Sequence, residues 1–140
     1  MKMKINLCVL LAVSVLVLSS FAQTQSKSEV KRTPLSTVPL TTAKTVDHVQ
    51  VTRIDYEPGQ ATGRHMHPMP VVGYVLSGSF DVQVQGQEVH HYATGEVIYE
   101  PAGIPIEKFD NASPTERATL IASYLAGNGE DVLIKMLPPQ

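Results

Sequence analysis

His65 and His67 stand two residues apart in the stretch GQATGRHMHPMPVVGYVLSG, which runs from Gly59 to Gly78. On a β-strand this spacing puts both imidazoles on one face, because strand side chains alternate with a period of two. Two imidazoles side by side can bind one metal ion, and a third protein donor makes the site durable. The only cysteine, Cys8, lies in an apolar run near the start of the chain. If that run is removed, histidine and carboxylate are the donors left. Two histidines and one carboxylate with open positions suit non-haem Fe(II) and oxygen chemistry. The carboxylate has two candidates, Glu100 and Glu107. Glu100 precedes the turn Pro101-Ala102-Gly103 and can reach inward. Glu107 falls on the opposite strand face from Ile106 and needs a one-residue bulge to turn in. Without a third donor the histidines belong to a degenerate site in which both rings bond to neighbours or water.

The elements that must position these groups read as short strands. Val46 to Glu57 alternates with Val49 and Val51 on one parity and Ile54 and Tyr56 on the other, which predicts a bulge near Arg53. Ser79 to Gln85 alternates with Phe80, Val82 and Val84 on one face, Gly86 turns the chain, and Gln87 to Tyr92 returns. Val97 to Tyr99, Ile104 to Phe109, Arg117 to Leu125 and Asp131 to Leu137 complete the series, separated by turns at Thr94-Gly95, Pro101-Ala102-Gly103 and Gly127-Asn128-Gly129. Turn signals every 8 to 12 residues or so, with no amphipathic helix between them, indicate an all-β sandwich or barrel. Val71, Val75 and Ile106 are expected to line its interior, with Met66 and Met69 as packing and the hydroxyls of Tyr74 and Tyr99 at the cavity edge. His90 and His91 are adjacent, so only one can face inward, and a surface or hydrogen-bonded role fits each. His48 receives no role.

The start of the chain has the parts of a secretory signal peptide: Lys2 and Lys4, an apolar region from Ile5 to Leu18, and small residues before a cut after Ala22. The apolar run is shorter than a span of ~20 residues. Residues 1–22 are therefore expected to be removed, leaving a periplasmic or secreted protein with no stable membrane insertion. Residues 23–45 read as a linker, with Leu35 to Leu40 as a possible edge strand between Pro34 and Pro39. Residues 46–137 form one domain. The formal net charge of −2 and the lack of charge runs point away from nucleic acid.

The residues around the histidines resemble the cupin family, small double-stranded β-helix or jelly-roll barrels. Gly59, His65, His67 and Gly78 fall on the first cupin motif, and Gly95, Pro101 and Gly103 on the second. Val71 occupies the glutamate position of the first motif and Ile106 the histidine position of the second. Among cupins the similarity is to small single-domain type-2 proteins, whose His-x-His-Pro, Glu-Pro and Asn-Ala-Ser segments match His65 to Pro68, Glu100-Pro101 and Asn111 to Ser113. The resemblance implies a small molecule bound in the barrel and a divalent metal (Fe, Mn, Ni, Cu or Zn) on His65, His67 and a carboxylate, Glu100. If the protein is an enzyme it implies dioxygenase, isomerase or decarboxylase chemistry, with dioxygenase preferred. The alternative is a non-catalytic binding or structural cupin that has lost its metal site, its cavity made more apolar by Val71 and Ile106. A homodimer through the Leu35–Leu40 edge is a further expectation.

Overall fold

The computed structural model describes residues 28–40, 42–127 and 129–139 of the 140, so the expected signal peptide lies outside the described residues. The chain divides into two compact units, Met1–Arg32 and Thr33–Gln140. Residues 28–32 of the first are exposed and carry no secondary structure. The described residues of the second form nine strands: β1 (His48–Tyr56), β2 (His65–Met66), β3 (Val71–Ser77), β4 (Ser79–Val84), β5 (His90–Ala93), β6 (Val97–Glu100), β7 (Ile106–Asn111), β8 (Ala118–Ala126) and β9 (Lys135–Met136). They make two antiparallel sheets, of order β1-β8-β3-β6 and β5-β4-β7-β2-β9. This is the expected all-β, double-sheet architecture.

Alternation decides which side chains enter the core. In β3, Val71 and Val75 point in while Tyr74 and Leu76 are exposed; in β4, Phe80 and Val82 point in. The two sheets meet through Tyr56 of β1, whose ring lies edge-on to Phe80 of β4 at 5.1 Å and stacks on Phe109 of β7 at 6.2 Å. Each of these large apolar side chains, once buried, contributes roughly 1.5–3 kcal/mol. Gly78 makes the tight link from β3 to β4. Its φ is +73°, and a Cβ there would lie 2.8 Å from both the Ala118 Cβ and the Arg117 carbonyl oxygen. Only glycine accepts both the left-handed backbone and that approach.

Two expectations need correcting, and one bulge falls where it leaves an expected orientation unchanged. No bulge interrupts β1 near Arg53: the ladder to β8 runs unbroken from His48↔Ala126 to Tyr56↔Ala118. The opposing parities are reconciled by exposure, since Val49 and Val51 face outward on an edge strand while Ile54 and Tyr56 turn in. Leu35 to Leu40 is not a strand. Pro34 and Pro39 lack the N–H that a ladder needs, and Leu35, Val38 and Leu40 instead border a cleft with Val72, Val97, Tyr99 and Leu125 on the outer face of the four-stranded sheet. Finally, a register shift does occur at Glu107, where Gln83↔Lys108 is followed by Val84↔Ile106. It brings Ile106 and Phe109 inward together. Glu107 stays outside, paired with Arg64 at 2.7 Å.

Candidate metal centre

The two sheets supply different parts of the centre. His65 sits in β2, opposite Ile106 of β7 and Met136 of β9. His67 follows directly, and its carbonyl accepts a hydrogen bond from the Gly103 N–H at 2.7 Å. Glu100 ends β6 in the other sheet, where alternation sends Ile98 and Glu100 inward and Val97 and Tyr99 outward. His65, His67 and Glu100 are 2%, 3% and 3% exposed, a burial that ionisable groups tolerate only with partners.

Their hydrogen bonds set the chemistry. The Nδ1–H of His65 donates to the Gly63 carbonyl at 2.7 Å, and that of His67 to the Leu133 carbonyl at 2.5 Å. A neutral ring with Nδ1 protonated carries its lone pair on Nε2. Both Nε2 atoms face the same carboxylate oxygen, Glu100 Oε2, at 3.2 and 3.3 Å. Three acceptors thus converge on one point, and that arrangement calls for a positive charge: protons on the imidazoles or a cation among them. Donors of a tetrahedral shell with bonds of ~2.1 Å stand about 3.4 Å apart. One donor atom from each residue lies within 4.8 Å of the others. His65, His67 and Glu100 can therefore hold a metal ion.

In the metal-free protein Glu100 favours a proton on His67. Burial works against the charged form of His67, but the hydrogen bond and charge of Glu100 outweigh it and hold the imidazole above its ordinary value. Burial likewise pushes the Glu100 carboxyl up, yet the bonds and charges of His65 and His67 bring it below the usual carboxylate range.

The centre opens into a cavity of about 390 Å³, within the range of small-molecule sites. Phe109 lies 6.2 Å from the His65 ring and Tyr124 stands edge-on to His67 at 5.6 Å. Ile54, Leu120, Ala122 and Ile134 extend the apolar wall. The Tyr56 hydroxyl shares a 2.6 Å hydrogen bond with Thr62, and burial pushes its pKa up to about 12. Tyr124 is also raised, by burial and by the charge of Glu100. Both phenols therefore stay protonated at neutral pH.

Of the other residues singled out in the sequence, Val71, Val75 and Ile106 are fully buried core, but the cavity walls come from other side chains. Met69 is fully buried packing, and Met66 is half-buried. Tyr74 and Tyr99 point to the outer face, so the cavity hydroxyls are Tyr56, Thr62 and Tyr124 instead. His90 and His91 are exposed, His91 paired with Asp81 at 2.8 Å and His90 edge-on to Tyr92. His48 is exposed beside Asp47.

Val71, the residue at the first-motif glutamate position, is the ladder partner of Glu100, and Ile106, at the second-motif histidine position, is the partner of His65. Directly paired residues of neighbouring strands project to the same face, with Cβ atoms about 4.5–5.5 Å apart. Glu100 on β6 thus projects to the same face as the Val71 position of β3.

The family model for the cupin domain matches residues 52–124. No match is found among curated proteins. Among solved structures, the fold is similar to that of an oxalate oxidase (TM-score 0.55, 22% identity, covering 66% of this chain and 51% of that one). It is also similar to oxalate decarboxylase from Bacillus subtilis (TM-score 0.55, 18% identity, 64% and 24%) and to a cupin-like protein from Thermotoga maritima (TM-score 0.53, 23% identity, 65% and 65%). The chain spans about half the length of the oxidase and about a quarter of the decarboxylase. At these identities the likeness is one of fold.

Proposed function

We propose that this chain, which belongs to the cupin family, is an exported protein that binds a small oxygen-bearing molecule at a divalent metal held by His65, His67 and Glu100. The observation that carries this reading is the convergence of two lone-pair nitrogens on one carboxylate oxygen at 3.2 and 3.3 Å. Support for export comes from the charged, apolar and small-residue order of residues 1–22. The bound metal supplies a Lewis acid with open positions, and with Fe(II) a site for oxygen chemistry. The chain's own residues do the rest. Gly63 and Leu133 carbonyls hold the imidazoles in the ligating tautomer, a role that outer-shell groups commonly fill. Phe109, Leu120 and Tyr124 form an apolar wall beside the centre, and Tyr56 offers a protonated phenol as hydrogen-bond donor.

Dioxygenase-like chemistry is favoured over isomerase chemistry because the tyrosines hold their protons at neutral pH. Among the described residues, Asp55 is the one carboxylate besides Glu100 that borders the cavity. It is already committed to Arg53 at 2.9 Å and to the Thr119 hydroxyl at 2.8 Å. General-base work has no free group to perform it. The same lack of acid–base groups favours, as a second reading, ligand capture without turnover.

Metal analysis of the purified protein after exposure to Fe, Mn, Ni, Cu and Zn tests the proposal. Near-stoichiometric metal that disappears in His65→Ala and in His67→Ala is the expected result. Absence of bound metal from the unsubstituted protein would remove the metal centre and leave the cavity alone.

A further inference from the structure

We infer that the cavity selects neutral or singly charged molecules with oxygen donors on a flat apolar body, and rejects small dianions such as oxalate. This deepens the metal reading above and rests on it only for the partner of the ligand's oxygens. Its basis is the charge and shape of the walls. Of the described lining residues only Glu100 turns a carboxylate inward, Asp55 being held on the exposed side, and none is a lysine or arginine. The basic groups nearby in sequence are committed elsewhere: Arg53 to Asp55 at 2.9 Å on the exposed side, and Arg64 to Glu107 at 2.7 Å.

Charge balance follows from the tautomers. With both Nδ1–H groups given to carbonyls, the imidazoles bind a divalent ion as neutral ligands, and Glu100 cancels one of its two charges. One positive charge is left to meet the bound molecule. A singly charged oxygen ligand neutralises it. A dianion leaves an excess negative charge in a buried site beside Glu100, without a basic side chain to receive it. Without the metal, the described walls still carry the Glu100 carboxylate and no lysine or arginine. The preference therefore holds in both forms.

Shape points the same way. Phe109 and Tyr124 flank the two imidazoles at 6.2 and 5.6 Å between ring centroids. With a volume of about 390 Å³, a two-carbon dianion would leave most of the apolar wall facing water. A flat ring or enol fills that space and buries it. Oxalate is what the oxalate oxidase and oxalate decarboxylase of similar fold are named for, so the inference expects a different ligand for this cavity.

Benzoylacetone, a flat β-diketone with one acidic proton, and oxalate are the probes. Binding of each is measured by calorimetry, and by NMR of the Phe109 and Tyr124 ring protons, in the metal-free protein and in the protein loaded with redox-inert Zn²⁺. Benzoylacetone should bind at least tenfold more tightly than oxalate in both forms and shift both rings. Ile134→Lys places a cation on the wall at a position already 40% exposed, where lysine is accommodated, and should tighten oxalate at least tenfold. Oxalate binding as tightly as benzoylacetone in either form, or benzoylacetone binding in neither, overturns the inference. Failure to take up Zn²⁺ would overturn the metal centre alone, because the metal-free comparison still reads the walls.

Discussion

Replacing Glu100 by glutamine keeps the size and the buried position of the side chain and removes the one charged ligand of the three. Loss of groups that merely support metal ligands costs about 10–100-fold in affinity, so loss of the carboxylate should cost at least about 100-fold. At free Zn²⁺ about 100 times the dissociation constant, the unsubstituted site contributes about 2.7 kcal/mol to stability. For a domain of this size that raises Tm by roughly 10–20 °C. At the same zinc concentration Glu100→Gln retains about 0.4 kcal/mol, or roughly 2–3 °C.

The pH dependence distinguishes the metal from the protons it displaces. The depressed Glu100 carboxyl adds stability that is present above its ordinary value of 4.5 and is lost as pH falls through the folded value. The raised His67 imidazole adds stability fully present below 6.5 and lost as pH rises through its folded value. Metal-free protein should therefore draw most from this cluster between about pH 4.5 and 6.5, and less above. Zinc binding needs deprotonated imidazoles, so its contribution should grow over the range in which the proton contribution fades. Thermal unfolding with EDTA and with Zn²⁺, from pH 5 to 8, checks both slopes, and Glu100→Gln should flatten the metal-free slope above 6.5. A variant that keeps the full zinc shift would refute the assignment of Glu100 as a ligand.

Three further outcomes are expected. Exchanging the ladder partners, with Val71→Glu and Glu100→Val in one chain, should keep zinc affinity within roughly tenfold of the parent by calorimetry, whereas Glu100→Val alone should lose at least 100-fold. Gly78→Ala should destabilise by about 2–4 kcal/mol in urea unfolding, from left-handed backbone strain added to the contact with Ala118 and Arg117. Phe109→Ala should cost about 3–5 kcal/mol by the same measurement, since its ring is buried against both Phe80 and Tyr56.

Much of this arrangement was readable in order along the chain. The glycine turns, the His-x-His spacing and the alternation of Phe80 and Val82 each depend on neighbours close in sequence, and the strands appear where those signals fall. What escaped depends on pairing between distant residues. Tyr74 and Tyr99 were expected at the cavity edge, but the inward parity of β3 and β6 is set by Val71 and Glu100 and turns both tyrosines out. Tyr56 and Tyr124 line the cavity because β1 and β8 run in unbroken register. The Leu133 carbonyl that orients His67 is a backbone group 66 residues away, invisible to any reading of side-chain types. The bulge at Glu107 arises from matching β7 to β4, and local alternation, which placed Glu107 opposite Ile106, could not show that Phe109 would turn in as well.

Val71 and Glu100 face each other across a ladder of two strands, and this bears on how such a centre can change through descent. A carboxylate moved between them needs no insertion, deletion or altered turn, only two substitutions in either order. One intermediate carries both acids and would bind its cation with one charge to spare; the other carries neither and would be tolerated as an apolar barrel. A lineage could cross by either route without unfolding. A valine at position 71 is therefore compatible with a barrel that holds its charge at Glu100 instead.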